Sequence, residues 1–425
     1  MKIRVFVSTL IATLIASVVV HAQSYTWTNG SSDGFWNTTS ANWDDGLFEY
    51  TWPSAGSYDA VFGTGTPGTV NVAAGVTVNN LTFNTAGYTL SGSSLAITGE
   101  LAVNANTTIA TNLLTGSAGA LMGNTTITGA TLTMAPGAAL YYTTDWTKES
   151  GSVVTVGSGG TLVMSSWNWG SDGLSYLNPG SSHLVINGGT VEVSSTNITW
   201  GSRGFTIGAN GATLKNSLTG GAWGVIDNGG GWGLQAVDNS SLTLAGDGTG
   251  SMRMNMDIIG TGSLTKSGSS EWMLSGSNSY TGATNINGGR LNVGANNTGM
   301  LGSGSSAVTI ANVAGAELYN FWWDSTANGG AGTNVGTSFS IGSLSGGGTT
   351  GGTVTLGQMA TLTVGTDNTS TTYGGTMTEL WGSAGLTKVG TGTLTLTNHI
   401  YLSGTATISG GALQLGDGTT GHNGS

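Results

Sequence analysis

The chain has 425 residues, of which 9 are basic, 20 are acidic and none is cysteine, giving a formal charge of −11. That excludes disulfides and thiolate metal sites, and it makes nucleic acid and anionic membrane poor partners. Its 76 glycines and 7% charged residues border on a disordered composition, but 38% of residues are apolar and fall in alternating blocks, which argues for an ordered β fold.

In chain order, Lys2 and Arg4 precede an apolar run from Val5 to Val20 that ends at Val20-His21-Ala22. This pattern predicts a secretory signal peptide over residues 1–22, with the mature chain starting at Gln23. The run is short for a membrane span and no basic residues follow it. Its removal leaves seven basic against twenty acidic residues. No later apolar run is long enough to cross a bilayer as a helix. The acidic residues are scattered, a pattern that maintains solubility rather than forming a binding stripe.

Next comes a Trp/Asn-rich opening, FWNTTSANWDDG from Phe35 to Gly46, followed by AVFG from Ala60 and VNNLTF from Val78. The stretch from Tyr25 to Phe62 is expected to cap one end of the fold, because an uncovered β end invites unwanted pairing. Asp44-Asp45, the one adjacent carboxylate pair, reads as a solvated turn. Beyond it, Val70-Asn71-Val72, Leu81-Thr82-Phe83, Leu132-Thr133-Met134, Leu162-Val163-Met164, Val191-Glu192-Val193 and Leu242-Thr243-Leu244 alternate with strand periodicity. Several blocks open at a glycine corner, as at Gly129, Gly159-Gly160, Gly188-Gly189, Gly211 and Gly352. Helix signals are almost missing after residue 22.

Between Tyr141 and Trp232 the aromatic residues crowd: Trp146, Trp167, Trp169, Trp200, Trp223 and Trp232, with Tyr142 and Tyr176 among them. Flat rings of this kind either fill the interior or face a glycan, and both readings stay open. Trp167 and Trp169 share a face if their segment is a strand. A glycan-active enzyme would need clustered carboxylates beside a cation. Asp145 and Glu149 bracket Trp146 and Lys148, and with Arg203 they are the residues that reading would use. His183, His399 and His422 show no metal spacing. No nucleophile elbow or phosphate loop is evident.

The final stretch is the most informative. Residues Leu264 to Gly294 return without a gap at Leu386 to Gly416, 122 residues on, with eleven identities in 31 positions. The shared positions include Leu264/Leu386, Lys266/Lys388, Gly268/Gly390, Gly288/Gly410, Gly289/Gly411 and Leu291/Leu413. The recurrence of Lys266 and Lys388 predicts a structural role at a strand start. A short strand with one apolar face is stable only when stacked on copies of itself, so the chain reads as a solenoid. Coils of roughly 20 to 25 residues spaced near 4.8 Å would make a rod on the order of 80 to 95 Å long.

The LTK-x-G-x-G-T-L-T-L run from Leu386 and the Gly-Gly-x-Leu-x-Leu-Gly ending at Gly416 resemble the autotransporter-associated β-strand repeat. Ile341 to Val364 looks like a connecting rung of the same family, and the Trp/Asn-rich opening also fits. The resemblance implies an all-β, right-handed parallel β-helix that is secreted or displayed on a bacterial surface, and it implies no catalytic activity. It divides the chain into the signal peptide, a cap with first coils (23–98), degenerate coils with the Trp-rich section (99–260) and the repeats (261–425). Members of that family usually continue past this point, so a truncated C-terminus and a separate or missing anchoring module are expected. The functional expectation is a non-enzymatic passenger or scaffold at the outer membrane or outside the cell. It needs no cofactor or metal, and its partners would be glycans, matrix or cell-surface components. A polysaccharide lyase or hydrolase is the alternative.

Overall fold

The computed structural model describes residues 23–54, 58–93, 95–111, 205–227, 233–293, 301–321 and 336–419. It also describes the segments 113–115, 125–127, 131–134, 140–142, 154–164, 184–193 and 197–199. The signal peptide expected over residues 1–22 lies outside them. Every regular element among the described residues is a β-strand.

The six alternating blocks read from the sequence are all strands, and they stack where their shared pattern requires. A sixteen-stranded sheet runs from Phe35–Trp36 to Ala412–Leu415 and takes one strand from each coil. Its neighbours pair in parallel throughout, as in Thr161–Met164 with Thr190–Val193. We call it the spine. At strand spacing its length is about 75 Å, shorter than the 80 to 95 Å expected. The cause is uneven coil length: Ile310 pairs with Gly346, 36 residues later, so some coils spend residues on loops.

Period-two alternation gives every coil an inward set, and parallel pairing lines those sets up in columns. One spine column reads Leu132, Leu162, Val191, Leu214, Leu244, Lys266, Ile286, Ile310, Gly346, Tyr373, Leu396 and Leu415. The glycine corners at Gly129, Gly160, Gly189 and Gly211 all lead into spine strands. Gly352 leads instead into Thr353–Leu356, which belongs to a nine-stranded sheet on the adjoining face. That sheet, the flank, runs from Asn197–Thr199 to Ile400–Tyr401. Before it, a ten-stranded and a four-stranded sheet close the rod; after it, a two-stranded and another four-stranded sheet do so.

At the N-terminal end the parallel ladder is interrupted. Gln23–Trp27 pairs in parallel with Tyr58–Phe62 but antiparallel with Ala41–Asp44, which pairs antiparallel with Glu49–Thr51. The reversal packs Trp27, Trp36, Trp43 and Trp52 over the first coil, all buried. Trp43 is the hub, with ring centroids 4.7 Å from Trp52, 4.8 Å from Trp36 and 5.1 Å from Trp27. Such edge-on and tilted pairs contribute about 0.5–1.5 kcal/mol each beyond their buried area. Buried Asn42 ties the hairpin down: its amide donates to Asp33 at 2.7 Å and to the Phe35 carbonyl at 2.8 Å.

Lys266 stands fully buried in an otherwise apolar column, with 0% of its surface exposed. It closes the strand Ser263–Lys266, and Lys388 closes Gly385–Lys388. This corrects the expectation of a role at strand starts. The physical reason is the turn that follows: Gly268 and Gly390 take φ of 68°, and the lysine side chain folds into the corner they form. Lys266 Nζ donates to the carbonyls of Ser267 (2.8 Å), Gly268 (2.9 Å) and, one coil on, Gly288 (3.0 Å). Three donors meet three acceptors, so the buried ammonium is satisfied without a carboxylate. Lys388 repeats the pattern toward Val389, Gly390 and Gly410. Gly289, at φ 62°, has no room for a side chain: a Cβ there would stand 2.4 Å from the Gly268 oxygen and 2.7 Å from Lys266 Nζ. The Lys-x-Gly and Gly-Gly signatures are thus two halves of one coil-to-coil clip.

The two copies of the repeat clip different corners. Lys266 sits on the spine, at its corner with the flank, whereas Lys388 sits on the second four-stranded sheet, at that sheet's corner with the spine. The duplicated unit is therefore a corner rather than a face.

Burial pushes the Lys266 ammonium down to about 8 from its ordinary 10.5, with Asp247 pulling it partly back. With the folded value below the unfolded one, the cost of burying the cation is full below pH 8 and disappears as pH rises toward 10.5. We expect wild type to gain stability relative to Lys266→Met across that window, by up to about 3 kcal/mol. Urea unfolding of both proteins from pH 7 to 10.5 measures it, and a flat difference would mean that the three carbonyls fully offset the desolvation.

Candidate functional site

Of the six tryptophans singled out in the sequence, Trp223 lies among the described residues. It opens the flank strand Trp223–Asp227 and is 55% exposed. Trp146, Trp167, Trp169, Trp200 and Trp232 lie outside the described residues, as do Asp145, Lys148, Glu149 and Arg203. Asp44 and Asp45 form the turn expected of them. The Asp45 carboxylate accepts the amides of Leu47 and Phe48, and these bonds hold it below the usual carboxylate range. Among the described residues no cluster of three His, Asp or Glu side chains is placed to hold a metal ion.

The structure instead gathers aromatic side chains farther along the flank, at its corner with the second four-stranded sheet. The outward face there begins with a charged ladder. Glu271, Arg290 and Glu317 are neighbours in one column, and Arg290 Nε donates to Glu317 at 2.8 Å. Glu317 also accepts from Thr355 at 2.5 Å, and Glu271 accepts from Ser251 at 2.7 Å. Held in this way, the Arg290 guanidinium lies 4.1 Å above the Tyr319 ring, a cation–π geometry. Burial raises the Tyr319 hydroxyl above its usual range, with Arg290 acting against it.

From Tyr319 the aromatic strip continues to Phe321 (5.9 Å, edge-on) and on to Trp381 (4.9 Å, tilted). Trp381 is 56% exposed, and Met359, at the matching corner of the preceding coil, is exposed too. Tyr401 is 58% exposed and stacks on His399 at 5.5 Å. Tyr319, Thr355, Thr378 and Tyr401 form one column, so these groups share the outward face of the flank.

The backbone that presents Trp381 is strained. Trp381, Gly382 and Ser383 take φ of 61°, 91° and 67°, and Met359 takes 61°. Bulky side chains rarely adopt this left-handed region, and doing so costs about 1–3 kcal/mol per residue. The surroundings enforce it. Ser383 N donates to Ser403 Oγ at 2.8 Å, Ala384 N to Glu379 Oε2 at 2.8 Å, and Gln358 Nε2 to the Trp381 carbonyl at 3.5 Å. Burial opposes ionisation of Glu379, but hydrogen bonds from Ser403 and the Ala384 amide outweigh it and hold the carboxyl below its usual range. Sequence reasoning passed over this site because its members are single aromatic residues 60 to 80 positions apart. A bulky residue next to glycine in a turn, as in Trp381-Gly382, was the available signal.

Chemically, the corner offers ring faces, one cation pinned by carboxylates, and backbone and side-chain amides. It suits stacking and hydrogen bonding to a ring-shaped, uncharged ligand. The carboxylates nearby are engaged in the ladder and the turn.

The passenger-associated transport repeat matches residues 264–293 and 386–415, the two segments that carry the lysine clips. The chain is also 33% identical over 271 residues, 62% of its length, to the adhesin BmaC autotransporter of Brucella suis biovar 1 (strain 1330). It spans about 6% of the length of that protein. No solved structure matches. The chain is an autotransporter-associated repeat protein.

The strain at Trp381 yields an expectation about stability. Trp381→Gly removes the left-handed cost but loses the contact with Phe321, so the two effects offset to within about 1 kcal/mol. Urea unfolding checks this. A loss of several kcal/mol would instead make Trp381 a structural residue rather than a displayed one.

Proposed function

We propose that this chain is part of an exported, non-enzymatic surface passenger, that it acts in adhesion, and that it holds glycans at the aromatic corner of its flank. The observation that carries the reading is Trp381: more than half exposed, held on strained backbone, and continuous with Phe321 and Tyr319. A protein maintains such strain where the displayed side chain is used. Apolar sugar faces stack on rings of this kind, and the net negative charge of the chain disfavours polyanions.

The repeats and the adhesin relative support export to the cell surface and adhesive use, with the rod serving as a stiff display. Weak contacts repeated along a rod gain strength by avidity. Trp223, and with it Trp146, Trp167, Trp169, Trp200 and Trp232, are proposed as a second stretch of glycan contact.

The test is a panel of neutral and acidic glycans against the chain from Gln23 to Ser425, read by tryptophan fluorescence and by product analysis. We expect saturable binding to neutral glycans without turnover. Trp381→Ala should weaken it about five- to tenfold, roughly 1–1.4 kcal/mol. Binding unaffected by Trp381→Ala but lost on Trp167→Ala would move the site to the earlier tryptophans. New reducing ends or unsaturated products lost on Asp145→Asn would replace the scaffold reading with a polysaccharide-active enzyme.

A further inference from the structure

In the last described coils, identical columns change from buried to bare. Leu386 and Lys388 are buried, while Ala406 and Ile408, paired with them one coil on, are exposed. Leu394 and Leu396 are buried, while Leu413 is half-buried and Leu415 is exposed. Ile408 and Leu415 reach 56% and 61% exposure although both belong to inward columns. The strands Ile400–Tyr401, Ala406–Ile408 and Ala412–Leu415 are each paired on one side only among the described strands. Three edges therefore offer unpaired N–H and C=O groups around an apolar centre, the arrangement that most readily recruits another β edge. The opposite end differs, because its ladder is turned back by the antiparallel hairpin and its tryptophans are covered.

We propose that the open end is a self-association surface covered by the matching end of a second copy of this chain. The geometry suits that occupant. A twofold axis across the rod reverses the chain direction, so each open edge meets its mate antiparallel. An axis through Gln414 pairs Ala412–Leu415 with itself and sets Leu413 against Leu415 of the partner subunit. Both residues are one position from Gln414, so inward side chains stay inward. The same rotation sets Ile400–Tyr401 against Ala406–Ile408 of the partner subunit. Electrostatics permit the approach: from Ile400 to Thr419 the one charged residue is Asp417. Because the other end of each copy is closed by its hairpin, the contact is isologous and stops at two rather than growing into a fibre.

The chain has no cysteine, so Gln414→Cys introduces a unique reporter. Directly opposed antiparallel positions bring Cβ atoms within about 4.5–5.5 Å, close to disulfide reach. Mild oxidation should give a covalent dimer from Gln414→Cys. None should form from Thr372→Cys, which stands two coils inward in the same outward column. In parallel, sedimentation of the wild-type chain should give twice the monomer mass. Ile408→Lys with Leu415→Lys should give the monomer with an unchanged β circular-dichroism spectrum, while Phe48→Lys at the hairpin end should stay dimeric. A monomeric wild type, equal cross-linking at Thr372→Cys, or a dimer broken by Phe48→Lys would overturn the proposal. If the double lysine variant unfolds, the cross-linking comparison decides alone.

Discussion

Everything in this molecule depends on the coil-to-coil ladder of the spine. Fifteen successive parallel pairings keep one register from Trp36 to Leu415, so a residue's surroundings are set by the coils directly before and after it. A one-residue slip would turn an entire inward column to solvent. With no disulfide available, register has to be held by side chains and corners. Outward ladders contribute between coils: Asn71 to Ser91 at 2.7 Å, Asn84 to Asn104 at 2.9 Å, and Glu192 to Lys215 at 2.9 Å. Pairs this exposed are individually weak. Their use is to penalise the wrong register as much as to stabilise the right one.

The corners carry the rest of the specification. A parallel solenoid must turn sharply after each short strand, and each turn leaves carbonyls that the ladder does not use. The lysine clip answers that need by placing a cation inside the corner, where it gathers carbonyls from its own coil and from the next. This explains why a repeated motif can sit on the spine in one copy and on another sheet in the next. The motif matches the chemistry of a turn, and any corner of the rod presents the same chemistry. It also explains the glycine pair: Gly289 and Gly411 lie where the lysine and two carbonyls leave no space for a Cβ.

The all-β solenoid was legible because period-two alternation and glycine corners are local signals that recur in every coil. Strand blocks such as Leu242-Thr243-Leu244 needed no tertiary information to find. The lysine's place at the strand end was missed because Lys266 follows Leu264-Thr265 in strand alternation, and its burial depends on a carbonyl 22 residues away. The aromatic corner was illegible for a different reason. Tyr319, Phe321 and Trp381 become neighbours only through coil lengths, and coil lengths here vary. Counting tryptophans favoured the dense stretch from Trp146 to Trp232, since density in sequence is visible and alignment across coils is not.

A regular rod has little reason to place bulky residues in left-handed turns. The corners at Gly268, Gly390 and Gly411 use glycine at φ between 63° and 68°, where it costs little. Met359 and Trp381 take φ of 61° at corners of the same rod, where glycine would serve the backbone better. Both side chains point out, so burial does not offset the strain. The remaining physical account is that the stacked coils hold these turns in place and spend part of their stability on presenting an apolar side chain to something outside. Repetition makes that possible: a strained turn between two well-registered coils costs one corner, while the ladder on either side keeps it closed.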